Sequence, residues 1–268
     1  MLVVWTLSIA LAGCMNPQGD CVGLDSPTAS QSERRLALDA CASEGKQKPL
    51  DYFLDRVAHL AAHDRRTESY GDIAATWNVE ELDQESISSK LLALYKDETA
   101  STDARVIALR ALLAFPLEKR PTEVRNIAQL TVEISTIPSQ MTYDRKEFSV
   151  APGCLVQLVL HNPDALEHNL LLVAPNSLAE IGIAGDRMGQ TPDGKLKEFV
   201  PDSKRILAVM GLVPAAKSKS LWFIAPSKPA TYPYVCTYPG HWRTMNGKMK
   251  VVAPVPTTIP APTPVKSP

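Results

Sequence analysis

The stretch CTYPGHWRTM, Cys236 to Met245, sets a thiol, an imidazole and a thioether around a Pro-Gly turn within ten residues. Just upstream, Tyr232, Tyr234 and Cys236 alternate along YPYVC, so one strand face carries all three and Cys236 ends that strand. Tyr238-Pro239-Gly240 is a turn signal that swings the chain so that His241 can return toward the thiol. Met245 follows just before KMKVV, the last strand-like run. Met249 is the other methionine nearby, and its alternation with Val251 makes it a core residue of that strand.

Thiolate and thioether are soft donors that select Cu(I), and imidazole suits both oxidation states of copper. An electron-transfer centre of the blue-copper kind needs two imidazoles and one thiolate in a plane, with a weak axial thioether. The loop supplies one imidazole, so a second has to come from elsewhere. His168, in ALEHNLLLV, opens a strand-like run 68 residues before Cys236.

The loop matches C-T-[FY]-P-G-H-x-x-x-M position for position and resembles the metal loop of azurins, among the plastocyanin/azurin-type blue copper proteins (cupredoxins). In azurins the upstream histidine is followed by asparagine, and His168-Asn169 repeats that pair. The resemblance covers roughly residues 130–252. It implies a Greek-key β-sandwich with one type 1 copper ion held by His168, Cys236 and His241, and Met245 axial. It further implies that Asn169 ties the two ligand loops together and tunes the potential near the sulfur. One position departs from the pattern, because Glu167 stands where azurins place a glycine before the first histidine. By the same resemblance the chain is a one-electron carrier rather than a catalyst. Its electron exit is the edge of His241, and its partner is a c-type cytochrome or an exported dehydrogenase. Tyr238 and Trp242 flank His241 either as packing residues or as an apolar rim for docking.

Outward from this region the hydrophobic period changes. From LTVEISTI at residue 130 onward, short alternating runs separated by Pro, Gly and Asn turns predict an antiparallel sandwich: FSV, CLVQLVLHN, NLLLVAP, SLWFIAP, YPYVC and KMKVV. NSLAEIGIAGDRMG interrupts them with a short helix. Before residue 130 the spacing is helical. LDYFLDRVAHLAAH, SISSKLLALY and ARVIALRALLAF each carry an apolar face, and Pro121 is expected to open a further short helix, PTEVRNIAQ. The helices from Ile87 to Phe115 weakly resemble a HEAT repeat. The fold class expected is therefore α+β in separate domains, with a helical domain over 22–129 and the sandwich over 130–253. A Pro-rich tail, 254–268, reads as an extended spacer.

The first segment, 1–21, reads as a signal-type N-terminus that opens with an apolar run, residues 1–14, ending in Leu11-Ala12-Gly13-Cys14, which resembles a bacterial lipobox without the usual leading Lys or Arg. It implies lipidation of Cys14, a membrane contact through that anchor, and a periplasmic address in the cell envelope. Cys21 and Cys41 can pair as a disulfide in such an oxidising space, and Cys154 reads as a buried free thiol. The net charge of −1 gives no electrostatic footprint for a nucleic-acid partner. No CxxCH motif is present, so haem is not expected. Five histidines are too few for the further metal sites of a multicopper oxidase or copper nitrite reductase. His59 and His63, four apart on a helix, lack an acidic or thiol partner, and His161 is expected to cap a turn before Asn162-Pro163. Two other classes fit the same residues: a copper-binding or delivery protein, and a helical scaffold with an auxiliary copper domain.

Overall fold

The computed structural model describes residues 21–25, 29–44, 48–63, 67–75 and 84–253. The lipobox-like stretch with Cys14 and the Pro-rich tail, both expected from the sequence, lie outside them. Among the described residues no helix is long and apolar enough to cross a membrane.

The first part is helical: α1 (Val22–Asp25), α2 (Gln31–Glu44), α3 (Pro49–Ala58), α4 (Thr67–Ala74), α5 (Gln84–Lys96) and α6 (Thr102–Ala114). Helix α3 starts with Pro49, whose missing N–H costs nothing in the first turn, and buries Tyr52, Phe53 and Val57. Helix α6 is capped by the Ser101 hydroxyl, which accepts from the Ala104 N–H at 3.1 Å, and its chain leaves helical geometry at Phe115, before Pro116. It is buried on nearly every side from Ala104 to Leu113, as a central helix must be. Cys21 and Cys41 form a disulfide that fastens the start of α1 to α2. A cross-link closing about twenty residues stabilises a chain by about 3 kcal/mol. Asp25 accepts from Tyr70 and Arg56 at 2.5 Å each, which joins α1, α4 and α3.

Pro121 does not open a helix. Residues 122–126 form turns closed by bonds from Val124 N to Pro121 O and from Ile127 N to Val124 O. These span three residues, too short a reach for an α-helical turn, and the chain must extend by Gln129 to enter a strand.

The strands are β1 (Gln129–Ile137), β2 (Thr142–Tyr143), β3 (Glu147–Val150), β4 (Leu155–Asn162), β5 (His168–Val173), β6 (Ile206–Val213), β7 (Lys217–Ile224), β8 (Ala230–Val235) and β9 (Asn246–Val251). They form two sheets, ordered β2-β1-β4-β7 and β3-β9-β8-β5-β6, with helix α7 (Leu178–Met188) between β5 and β6 in sequence. The sandwich is not wholly antiparallel: β1 runs parallel to β4, and β3 parallel to β9. Parallel neighbours need a crossover, and here the chain leaves one sheet and returns through the other. Strand β6 was hidden in RILAVMGLV, a continuous apolar run whose length alone does not distinguish strand from helix.

The two parts share a seam. Leu155, Trp222 and Ile224, on the outer face of β4 and β7, belong to the apolar core of the helices. Their chain neighbours Val156 and Phe223, which pair with each other across the strands, point the other way, into the sandwich. The Arg110 guanidinium of α6 lies 4.3 Å from the Trp222 ring centroid and donates to Asp72 at 2.5 Å. Leu155 begins β4 and Asn162 ends it, so this seam lies about 23 Å along the strand from the β4–β5 loop.

Trp222→Ala is expected to lower stability by about 2 kcal/mol, less than for a fully buried tryptophan because its ring is only partly buried. Denaturant unfolding monitored by circular dichroism checks this. An unchanged midpoint would mean that the helices do not lean on the sheet.

Candidate metal centre

Strands β5 and β8 are antiparallel neighbours, with Leu171 opposite Val235 and Leu172 opposite Tyr234. The start of one and the end of the other therefore meet at the same end of the sheet. His168 is the first residue of β5 and Cys236 the residue after β8, so this pairing alone brings ligands 68 positions apart together. Strand β9 pairs with the other side of β8, and Cys236 N donates to Met245 O at 3.0 Å. Between them Gly240 takes a left-handed φ of 86°, which a side chain would resist, and a single 3₁₀ turn, His241–Arg243, faces His241 inward. The chain then closes with Met245 N donating to His241 O at 2.9 Å.

Among the described residues, His168, Cys236 and His241 are the group whose ligand atoms converge, all within 4.8 Å of one another. The Cys236 sulfur lies 3.9 Å from His168 Nδ1 and 3.7 Å from His241 Nδ1. A cation bonded at about 2.1 Å to imidazole and about 2.3 Å to thiolate in a trigonal plane holds nitrogen and sulfur about 3.8 Å apart. The residues fit a copper ion of that geometry. Met245 is fully buried in the same core cluster as Cys236, and so is Met249 on β9.

Burial pushes the Cys236 thiol up to about 12, against an opposing pull from the backbone N–H groups of Asn169 and Tyr238. It pushes His241 down to about 4, helped by the charge of His168, and lowers His168 against the pull of Asp164. Without a cation all three groups are held neutral near pH 7. A bound cation reverses this for the sulfur, because it supplies the charge that burial denies.

Asn169 bridges the two ligand segments. Its carbonyl accepts from Thr237 N at 2.7 Å, and its amide donates to Thr237 Oγ1 and Glu198 O at 2.8 Å each. Tyr143, from the edge strand of the other sheet, donates to Asn169 O at 2.6 Å. Glu167 is turned to Lys195 at 2.9 Å. Tyr238 stacks near His241 with ring centroids 4.7 Å apart, and Trp242 packs against α7.

Other sequence expectations end elsewhere. His59 is exposed, and His63 N donates to Asp103; neither reaches the convergent group. His161 does not cap a turn; it sits in β4, with Nδ1 2.8 Å from Ser218 Oγ on β7, because the strand runs one residue past it. Cys154 is buried and free.

Two acidic residues at the site escaped the sequence reading. Asp164 lies 3.3 Å from the outer nitrogen of His168, and an aspartate in an Asn-Pro turn carries no signal of that role. Asp186 of α7 accepts from Gly240 N at 2.7 Å, Trp242 Nε1 at 2.8 Å and Arg243 at 3.1 Å. Gly182 and Gly185 let α7 lie this close, since a Cβ at Gly182 would strike the Trp242 ring and one at Gly185 the Thr237 backbone. Gly182→Ala is expected to cost about 1–3 kcal/mol and to loosen the His241 turn. Thermal melts of the metal-free protein and amide exchange at residues 240–243 report the two effects; an unshifted melt would mean that α7 yields freely.

Residues 130–252 match the family of copper binding proteins described as plastocyanin/azurin. Auracyanin-A of Chloroflexus aurantiacus is 30% identical over 124 residues, which are 46% of this chain and 74% of that protein. Azurin iso-2 of Methylomonas sp. strain J is 29% identical over 120 residues, 41% of this chain and 89% of that one. The solved structure of auracyanin A, a "blue" copper protein from the same Chloroflexus, is 29% identical with a TM-score of 0.42, over 47% of this chain and all of the other. The convergent histidines and cysteine lie inside the matched region, and the chain belongs to the plastocyanin/azurin family of copper-binding proteins.

Proposed function

We propose that the protein is a one-electron carrier of the cell envelope, in which His168, Cys236 and His241, with Met245 as a fourth and weaker donor, would hold a single type 1 copper. The observation that carries this reading is the convergence of one buried thiol and two buried imidazole nitrogens at trigonal spacing. Bound there, copper supplies a centre that alternates between Cu(I) and Cu(II). The protein's part is to keep the ligands still. His168 is held in a strand, Cys236 is held by its bond to Met245 O, and His241 is clamped by α7 through Asp186. A ligand set that does not move on a change of charge keeps reorganisation small and transfer fast. His241, at the turn between β8 and β9, is the exit for the electron, with Tyr238 and Trp242 beside it as the docking rim.

The helical segment 22–129 and the sandwich 130–253 are the two folding units. Their seam lies at the end of β4 remote from the ligand loops, which leaves the His241 end open to a partner. A c-type cytochrome or an exported dehydrogenase suits a small, weak redox contact of this kind. The Cys21–Cys41 disulfide supports an oxidising compartment, consistent with export and an anchor at Cys14.

Visible absorption and paramagnetic resonance of the Cu(II)-loaded protein test the assignment. An intense blue band with narrow copper hyperfine splitting is expected, and it should vanish in Cys236→Ser. A colourless protein, or an ordinary tetragonal copper spectrum in both samples, would sink the carrier reading and leave the scaffold. Met245→Leu should keep the blue band and raise the potential by removing an axial donor, whereas Met249→Leu should leave the potential alone. A larger shift from Met249→Leu, measured by redox titration, would reverse the axial assignment.

A further inference from the structure

His168 presents its two ring nitrogens to two different partners. Nδ1 faces the Cys236 sulfur at 3.9 Å, and Nε2 lies 3.3 Å from Asp164 Oδ2. Both side chains are withdrawn from water, His168 wholly and Asp164 to 6% exposure. The carboxylate is itself fixed. Ser139 N donates to Oδ2 at 3.2 Å and Ala165 N to Oδ1 at 2.7 Å. Asp164 N in turn donates to the side-chain carbonyl, Oδ1, of Asn162, at 3.2 Å. That carbonyl also accepts from the Thr136 hydroxyl at 2.9 Å, while the Asn162 amide donates to Leu166 O, Val213 O and Pro214 O. A buried polar network of this completeness holds one arrangement, because breaking any member leaves another unpaired.

We infer that Asp164 is a positioning residue for the copper, holding the proton of His168 on Nε2 so that Nδ1 is the ligand atom, and favouring the oxidised ion through its charge. This rests on the copper reading above. A carboxylate behind a ligating histidine fixes the tautomer and ring plane and raises the basicity of the ligating nitrogen. A buried negative charge one imidazole away from the ion also stabilises the state of higher positive charge, and poor screening there keeps that effect large.

The experiment compares wild type, Asp164→Asn and Thr136→Val as Cu-loaded full chains, by redox titration, with melts of the copper-free forms to report folding. Asp164→Asn keeps an acceptor oxygen and removes the charge. It should retain the blue band and shift the Cu(II)/Cu(I) preference toward Cu(I) by about tenfold or more, a rise of about 59 mV for one electron. Thr136→Val loosens the network and leaves the carboxylate in place, so its preference should stay within about twofold of wild type. A blue wild type with less than a twofold shift in Asp164→Asn overturns this inference alone, as does an equal shift in Thr136→Val. A wild type without the blue band overturns the copper reading with it. If Asp164→Asn does not fold, nitrogen-15 NMR of the wild-type Cu(I) protein decides. A His168 Nε2 proton protected from solvent exchange is expected, and one exchanging freely with water overturns the assignment.

Discussion

The Asn169 side chain carries the constraint on which the rest of the site depends. It accepts from Thr237 N and donates to Thr237 Oγ1, so the residue after one ligand is bonded to the residue after the other. Strand pairing between β5 and β8 sets the approximate approach of His168 and Cys236, and Asn169 removes the remaining freedom. Tyr143 extends this link to the opposite sheet through Asn169 O. The two layers of the sandwich thus meet behind the copper ligands as well as through apolar packing.

Around that link, burial does opposite things to the ligands and to the ion. A thiol and two imidazoles removed from water are all driven to their neutral forms, which alone makes a poor home for charge. A copper ion turns the penalty into affinity, since thiolate and cation neutralise one another where neither is hydrated. Helix α7 closes the site from the side, using glycines to reach the loop and Asp186 to hold it. The helical segment meets the sheet at the remote end of β4 and β7, where Arg110 covers Trp222. The helices are therefore attached to β4 and β7 of one sheet, whereas the copper ligands stand on β5 and the β8–β9 turn of the other.

Much of this is legible in the sequence. The ligand types and the Pro-Gly turn pointed to the metal, and the change from helical to alternating spacing near residue 130 pointed to the two architectures. Less legible were the elements whose local pattern was ambiguous or weak. Strand β6 looked like any buried apolar run, and β2 was only two residues long. The parallel pairs β1–β4 and β3–β9 were invisible, because alternation records which face is buried and not the direction of the neighbour.

What the sequence determined by itself was the chemistry: which donors are available, that His241 and Met245 must follow Cys236 within one loop, and that His168 stands at a strand start. What only the tertiary structure decided was the company those donors keep. Asp164 is four residues from His168 in a turn, and nothing local says that its carboxylate lies behind the imidazole. Asp186, Gly182 and Trp222 likewise acquire their roles from partners distant in sequence. Donor identity is a property of single residues, whereas hydrogen-bond partners and packing distances arise only when the sheets have closed.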